Sequence, residues 1–346
     1  MFSLAGSFFE DFLIISGLLL VQVAYGANNI FLNCILALGF DHLFLIATGS
    51  FIGAVIMLPI AIVLERKKWP KKLTSTMMVQ FGLLALGGVT MFQALLMLGI
   101  KRTTPAVASA MPNLVPGFVF LMAAILRYEK FSIWCKYSMA KVLGTIVCLG
   151  GAIAMSFLQS PALPKMLTIL NATYDNTYKD WMMGCFYLLA AIIIVSCIMV
   201  LQAATMVNFP APFSLYVLTT LMGSILTAFV QIIVEGKFDV GTPNLSILSI
   251  ISIIAAGSAV SSICIVYQTW CVSKKGPLLV SIFSPVQTVC ATSFSTILFG
   301  QAIGVGSSIG MILMFIGLYI VLWAKTKEGV QSKKSMPLDV EKPLLS

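Results

Sequence analysis

Blocks of apolar residues, separated by short polar breaks, occupy nearly the whole chain. A helix needs about 20 apolar residues to cross the hydrocarbon core of a bilayer. The blocks predict helices at 12–33, 43–64, 76–98, 105–126, 136–157, 181–202, 212–233, 247–269, 277–299 and 303–323. No Asp, Glu, Lys or Arg occurs between Met182 and Val234, or between Gly276 and Ala324. A soluble domain could not hide that much uncharged surface. The pattern predicts an all-α membrane protein with ten transmembrane helices.

The two halves of the chain echo each other. "TPAVASAMPNLVPG" and "RYEKF" in the first correspond to "GPLLVSIFSPVQTV" and "FGQAIG" in the second. Pro105 matches Pro277 and Ser109 matches Ser281 at an offset of 172, as Glu129 matches Gln301. Gly144 and Gly151 match Gly310 and Gly317 at an offset of 166. Each half carries five spans. Two copies of an odd-numbered unit must enter the bilayer upside down relative to one another, which predicts two inverted five-helix repeats. The expected organisation is a cytoplasmic N-terminus at 1–11, a first repeat at 12–157, a non-cytoplasmic loop at 158–180, a second repeat at 181–323 and a disordered cytoplasmic tail at 324–346.

Charge sets the orientation. Sixteen of the 21 Lys and Arg residues fall on the side shared by the two chain ends, and five on the other. Cytoplasmic loops carry the excess of basic residues, so both termini are expected in the cytoplasm. Lys136 and Lys141 are counted among these cytoplasmic charges. Trp69, Trp134, Trp181, Trp270 and Trp323 all lie at or near predicted helix ends, where indole suits the headgroup level. Asn171, within the 158–180 loop, is the candidate glycosylation site; Asn244 lies too close to the next helix. Glu10 and Asp11 precede the first apolar run, where a removable signal would be basic, so the first helix is expected to be a retained anchor in the plasma or vacuolar membrane.

Composition narrows the chemistry. The chain is 59% hydrophobic and 10% charged, with a mean hydropathy of +1.02, leaving little for a soluble domain. A net charge of +9 would suit nucleic acid, but the basic residues are placed as an orientation signal, and no nucleic-acid partner is expected. Eight cysteines sit in or beside apolar stretches without C-x-x-C spacing, as small packing residues. His42, expected in an external loop, is the single histidine. A histidine-based metal site, a cofactor and a Ser-His-Asp set are therefore not expected, and the chain does not read as an enzyme.

Candidate binding residues are neutral and intramembrane. The fourth and ninth spans are interrupted at matching depth, by Pro112, Asn113 and Pro116 in one and by Ser284, Pro285 and Gln287 in the other. A proline removes a backbone donor and frees carbonyls in the preceding turn. Paired interruptions in two halves point to a binding site near the midplane; simple kinks for helix packing are the alternative. Gln22, Asn28 and Asn29 in the first span, Gln93 in the third, Gln202 in the sixth, and Tyr267 and Gln268 in the eighth supply further polar groups. Such side chains should turn away from lipid, either towards a solute or as bonds between helices. Proton-coupled carriers keep a carboxylate or histidine in the pathway, and none is apparent, so the expectation is a facilitator.

Several strings resemble a known family: "VQVAYGANNI", "LPIAIVLERKKWP", "ASAMPNLVPG", "RYEK", "FPAPFSL", "TWCVSKKGPLLVSIFSPV" and "IGLYIVLWAK". They are similar to the plant Walls-Are-Thin-related transporters, also called usually-multiple-acids-move-in-and-out transporters. These are EamA-type members of the drug/metabolite transporter superfamily. The resemblance implies ten helices in two inverted repeats and bidirectional movement of amino acids or, for some members, auxin. Asn33, Thr48-Gly49 and Gln301 stand where the family often has Lys, Tyr-Arg and Glu, so charge is lost at each. The expected partners are a small organic solute, amino acids first, and membrane lipid. A carrier of auxin or another metabolite on the same fold, and a membrane scaffold without transport, are the alternatives.

Overall fold

The computed structural model describes residues 2–69, 74–103, 111–125, 136–159, 176–236, 247–299 and 305–334. Within them the chain is helical, with no β-strand. Helix α1 spans Phe2–Ala37 and α2 His42–Glu65. Helix α3 runs through Ser75–Leu84, a π-helical stretch Ala85–Met91, and Phe92–Arg102. The described part of helix α4 comprises a 3-10 turn, Met111–Leu114, and Val115–Ile125. Then come α5 (Lys136–Gln159), α6 (Asn176–Asn208), α7 (Pro212–Glu235) and α8 (Ile247–Lys275). Helix α9 consists of Pro277–Ile282 and Ser284–Phe299 on either side of Phe283, and α10 spans Val305–Lys334.

Seven of these are long and apolar enough to cross a membrane: α1, α2, α3, α6, α7, α8 and α9. Helices α4, α5 and α10 hold shorter apolar runs, Met111–Ala123, Ser138–Gly151 and Ser308–Ala324. The start of the expected fourth span, the loop with Asn171, and the pair Glu129 and Gln301 lie outside the described residues.

Local chemistry explains the boundaries. The Asp41 carboxylate accepts from the Phe44 N–H at 3.0 Å, capping α2 and placing His42 at the helix start rather than in a loop. Helix α7 begins with Pro212, whose fixed φ suits a first turn, and ends at Gly236 with φ 71°. Gly276 (φ 85°) and Pro277 make the corresponding break between α8 and α9.

Both ends of the chain extend further as helix than the apolar pattern indicates. Helix α1 begins at Phe2, inside the segment read as an N-terminus; no proline stands between Phe2 and Asp11 to stop it, and the helix runs through Gly6. Helix α10 continues to Lys334, well into the tail expected to be disordered at 324–346, since its Lys, Glu and Gln are good helix formers. Lys141, expected among the loop charges, is fully buried in the second turn of α5.

The helices pair in a regular way. Helix α5 packs on α10, α2 on α7, α1 on α9, α4 on α6, α3 on α6, α1 on α8, α2 on α8, α3 on α7 and α4 on α9. Exchanging every helix with the one five places along maps these nine pairs onto one another; α8 also packs on α6 and α7, outside that scheme. Glycines set the closest approaches. A Cβ on Gly144 would lie 2.9 Å from the Gly317 carbonyl oxygen, and one on Gly151 would lie 2.8 Å from that of Gly310, so α5 and α10 run antiparallel. Gly53 of α2 lies against Tyr216 of α7 and Ser262 of α8, while Gly223 of α7 lies against Val89 of α3.

Helices α2 and α7 are also antiparallel and are held at both ends by carboxylates. Glu65, 2% exposed at the end of α2, accepts from the Ser214 N–H at 2.8 Å and from its hydroxyl at 2.9 Å, in the first turn of α7. A carboxylate at a helix N-terminus is favourable electrostatically. The Trp69 indole N–H donates to the same Ser214 hydroxyl at 2.8 Å. At the far end, Gln231 donates to Asp41 at 3.1 Å. Between these clamps Met57, Ala61, Tyr216, Val217 and Val266 form an apolar cluster.

Candidate functional site

The interruptions of α4 and α9 meet. Asn113 sits in the 3-10 turn of α4 and is 2% exposed. Its side-chain oxygen accepts from the Thr288 hydroxyl of α9 at 2.9 Å. The prolines fit the irregular backbone at both places. Pro112 lies in the 3-10 turn, and Pro285 falls in the first turn of Ser284–Phe299, where a missing N–H costs least. Phe283, the residue between the two parts of α9, is wholly buried. Pro112, Ser284 and Gln287 are half-buried and Pro285 is buried.

Helix α1 supplies a second polar row, facing α8. The Asn28 amide donates to the Ser261 hydroxyl at 3.1 Å, and the Tyr25 hydroxyl donates to the Gln268 oxygen across a long 3.5 Å. Tyr267 lies against Gly17 and donates to the Leu13 carbonyl at 2.9 Å. From α6, the Gln202 amide donates to the Thr269 hydroxyl of α8 at 2.7 Å. Helix α8 therefore carries hydroxyl or amide partners for both α1 and α6.

Not every expected residue joins these rows. Gln93 is half-buried just beyond the π-helical stretch of α3 and makes no hydrogen bond with the other candidates among the described residues. Asn29 is exposed, not turned inward with Gln22, although the two are seven residues apart. Gln22 is 1% exposed, and neither its amide nitrogen nor its oxygen has a hydrogen-bond partner.

Four partners were not singled out from sequence: Thr288, Thr269, Ser261 and Tyr25. The signal available was the density of hydroxyls in "SAVSSICIVYQT" and "TVCATSFST", too common in apolar helices to rank by itself. The π-helical stretch in α3 was also missed. It holds Gly87, whose Cβ would meet Ile198 of α6, and buried Thr90, which bonds to Thr227 of α7 at 3.1 Å. Among the described residues no group of His, Cys, Asp and Glu is placed to hold a metal ion.

A bundle of apolar helices whose α4 and α9 are irregular and joined by a buried amide–hydroxyl bond is compatible with a membrane carrier. Comparison with known proteins agrees. Residues 12–157 match the EamA-like transporter family. Over 345 residues the chain is 39% identical to the WAT1-related protein At5g47470 of Arabidopsis thaliana, covering 97% of this chain and 93% of that protein. It is 31% identical to the Arabidopsis thaliana protein WALLS ARE THIN 1, covering 90% of this chain and 82% of that one. A solved structure, "Crystal structure of protein", superposes with a TM-score of 0.65 over 91% of this chain and 98% of its own at 17% identity, which shows a shared fold. The chain is a membrane transporter. It belongs to the WAT1-related family of EamA-like transporters.

Proposed function

We propose that the protein is a bidirectional facilitator of small organic solutes, amino acids first, built from two inverted five-helix repeats that together cross the bilayer ten times. The observation that carries this reading is the Asn113–Thr288 hydrogen bond, which joins the broken helix of one half to that of the other. Counterpart helices that run antiparallel, α2 with α7 and α5 with α10, are what inverted halves require. The nine helix pairs that map onto one another under the five-place exchange support the same reading.

The polar groups are suited to solute rather than to ions. They are amides and hydroxyls on α1, α4, α6, α8 and α9, with no carboxylate or histidine hydrogen-bonded among them. The carboxylates of buried Glu65 and half-buried Asp41 serve instead to clamp the ends of α2 and α7. Movement down the solute's own gradient follows. The test is net uptake of a panel of labelled amino acids and auxin into proteoliposomes, with and without a protonophore. Uptake that survives the protonophore supports the facilitator. Uptake that collapses at an unchanged solute gradient contradicts it.

A further inference from the structure

Helix α3 changes register midway. Across Ala85–Met91 it is π-helical, and the Phe92 N–H reaches back five residues to the Gly87 carbonyl. A π-helical turn holds one residue more than the α-helix it interrupts, and such turns collect at functional sites. Thr90, buried within the stretch, marks what holds it there. Nine other threonines donate to the carbonyl four residues earlier in their own helix, Thr48 and Thr269 among them. The Thr90 hydroxyl instead crosses to α7, donating to the Gly223 carbonyl at 3.3 Å and meeting the Thr227 hydroxyl at 3.1 Å.

The second half of the chain holds the other arrangement. The repeat offset of 172 sets residues 257–263 of α8 against Ala85–Met91, and Ser262 against Thr90. Helix α8 is α-helical there. Ser262 meets the Tyr216 hydroxyl at 2.6 Å and donates to the Ser258 carbonyl of its own helix at 2.6 Å.

The two ends of α3 are held unequally. Phe92–Arg102 is locked on α6: a Cβ on Gly99 would lie 3.1 Å from the Gly184 carbonyl oxygen, and Arg102 pairs with Asp180 at 3.4 Å. Ser75–Leu84 meets its neighbours through side chains, with Phe81 edge-on to Phe209 at a centroid distance of 5.3 Å. Met78, Val79 and Leu83 on its other faces are apolar and exposed, so lipid and protein suit this segment on either side. Gly82 lies within it, and a Cβ there would meet nothing within 4 Å. Glycine weakens a helix relative to alanine, and no contact in this arrangement requires one.

Building on the carrier reading, we infer that α3 is a register switch: Ala85–Met91 interconverts between π-helical and α-helical forms, and Thr90 and Gly82 position Ser75–Leu84 in the two. Loss of the extra residue turns Ser75–Leu84 by about 100°, one residue's step at 3.6 per turn, while Phe92–Arg102 stays on α6. Each residue of the segment then takes the place of the one before it. Gly82 replaces Phe81, and Phe81 leaves Phe209. A gap opens there between α3 and the α6–α7 connection, at the cytoplasmic end in the proposed orientation, as an entrance for solute. Thr90 gives up α7 and donates to the Leu86 carbonyl, as Ser262 does to that of Ser258. Gly82 is the residue small enough to make the gap.

Distances and transport together test the switch. Nitroxides on ketone-bearing residues placed at Val79 and Val207, both exposed, report the turn without using the native cysteines. The parent in nanodiscs should give two distances, separated by on the order of 5–8 Å on a helix about 10–12 Å across. Gly82→Leu puts a side chain where the present register has room and the second does not. It should remove the second distance and cut counterflow of labelled neutral amino acids several-fold, with an unfolding temperature no lower than the parent's. Thr90→Val keeps the shape and loses the bond to α7. It should move population to the second distance and slow counterflow several-fold, and Thr90→Ser should restore both. A single distance in the parent that Thr90→Val leaves unmoved overturns the inference, as does parental counterflow in Gly82→Leu. Impaired counterflow in Asn113→Ala beside either result leaves the carrier reading standing. Two distances in a parent that exchanges no solute keep the register switch and overturn the carrier reading.

Discussion

Gly144 of α5 and Gly317 of α10 pack backbone to backbone. A Cβ on Gly317 would lie 2.6 Å from the Gly144 carbonyl oxygen, and one on Gly144 would lie 2.9 Å from that of Gly317. The repeat pairs Gly144 with Gly310 and Gly151 with Gly317, and Gly151 in turn lies against Gly310. Each glycine therefore touches the counterpart of its partner's partner, as a two-fold axis between α5 and α10 would arrange. The contact predicts that Gly317→Val destabilises the purified protein by about 1–3 kcal/mol, because backbone and not a flexible side chain stands in the way. Thermal unfolding in detergent measures it. Gly150→Ala, where the added Cβ meets nothing within 4 Å, should not lower the transition and should raise it slightly, since Ala is the better helix former.

The Glu65 clamp gives a second prediction. Glu65→Ala leaves the Ser214 N–H and hydroxyl without their buried acceptor and should cost about 1–3 kcal/mol. Glu65→Gln keeps one acceptor oxygen at the first turn of α7 and should cost less. Unfolding midpoints of the three proteins, with Ser214→Ala as a fourth, order the contributions. Equal midpoints for parent and Glu65→Ala would show that the clamp carries no stability.

Orientation is open to a direct test. The proposed ten crossings, with the basic loops inside, would place both chain ends in the cytoplasm. Protease-protected or fluorescent tags at the two ends should report the same compartment, and Asn171→Gln should abolish a glycosidase-sensitive shift in mobility. Tags on opposite faces would exclude an even number of crossings.

The helices were legible because crossing a bilayer demands a minimum apolar length, which composition alone reveals. The break positions were legible because Pro112 and Pro285 act locally on the backbone. What hydropathy could not show was which face of each helix meets protein. In a chain where Val63, Ile225 and Ile297 point outward as readily as Leu18 and Phe283 point inward, apolar periodicity loses its meaning. That is why Asn29 was placed with Gln22, and why Gln287 was marked while Thr288, one residue on, makes the bond to Asn113. Charge was misjudged for a related reason. Glu65 and Lys141 sit at span ends, where sequence suggests solvent, yet the packing of α2 against α7 and of α5 in the bundle encloses both.

The site's own bond can be measured by a double-mutant cycle. Asn113→Ala and Thr288→Ala should each lower stability, and the pair should show a coupling of about 0.5–1.5 kcal/mol, as residues in one hydrogen bond do.

The most direct measurement of the account is solute counterflow by Asn113→Ala, Thr288→Ala and the parent at matched amounts in proteoliposomes. A site formed where the two broken helices meet predicts that either substitution slows exchange several-fold or more, with the labelled solute that the parent carries. Parental rates in both variants would contradict a solute path between α4 and α9.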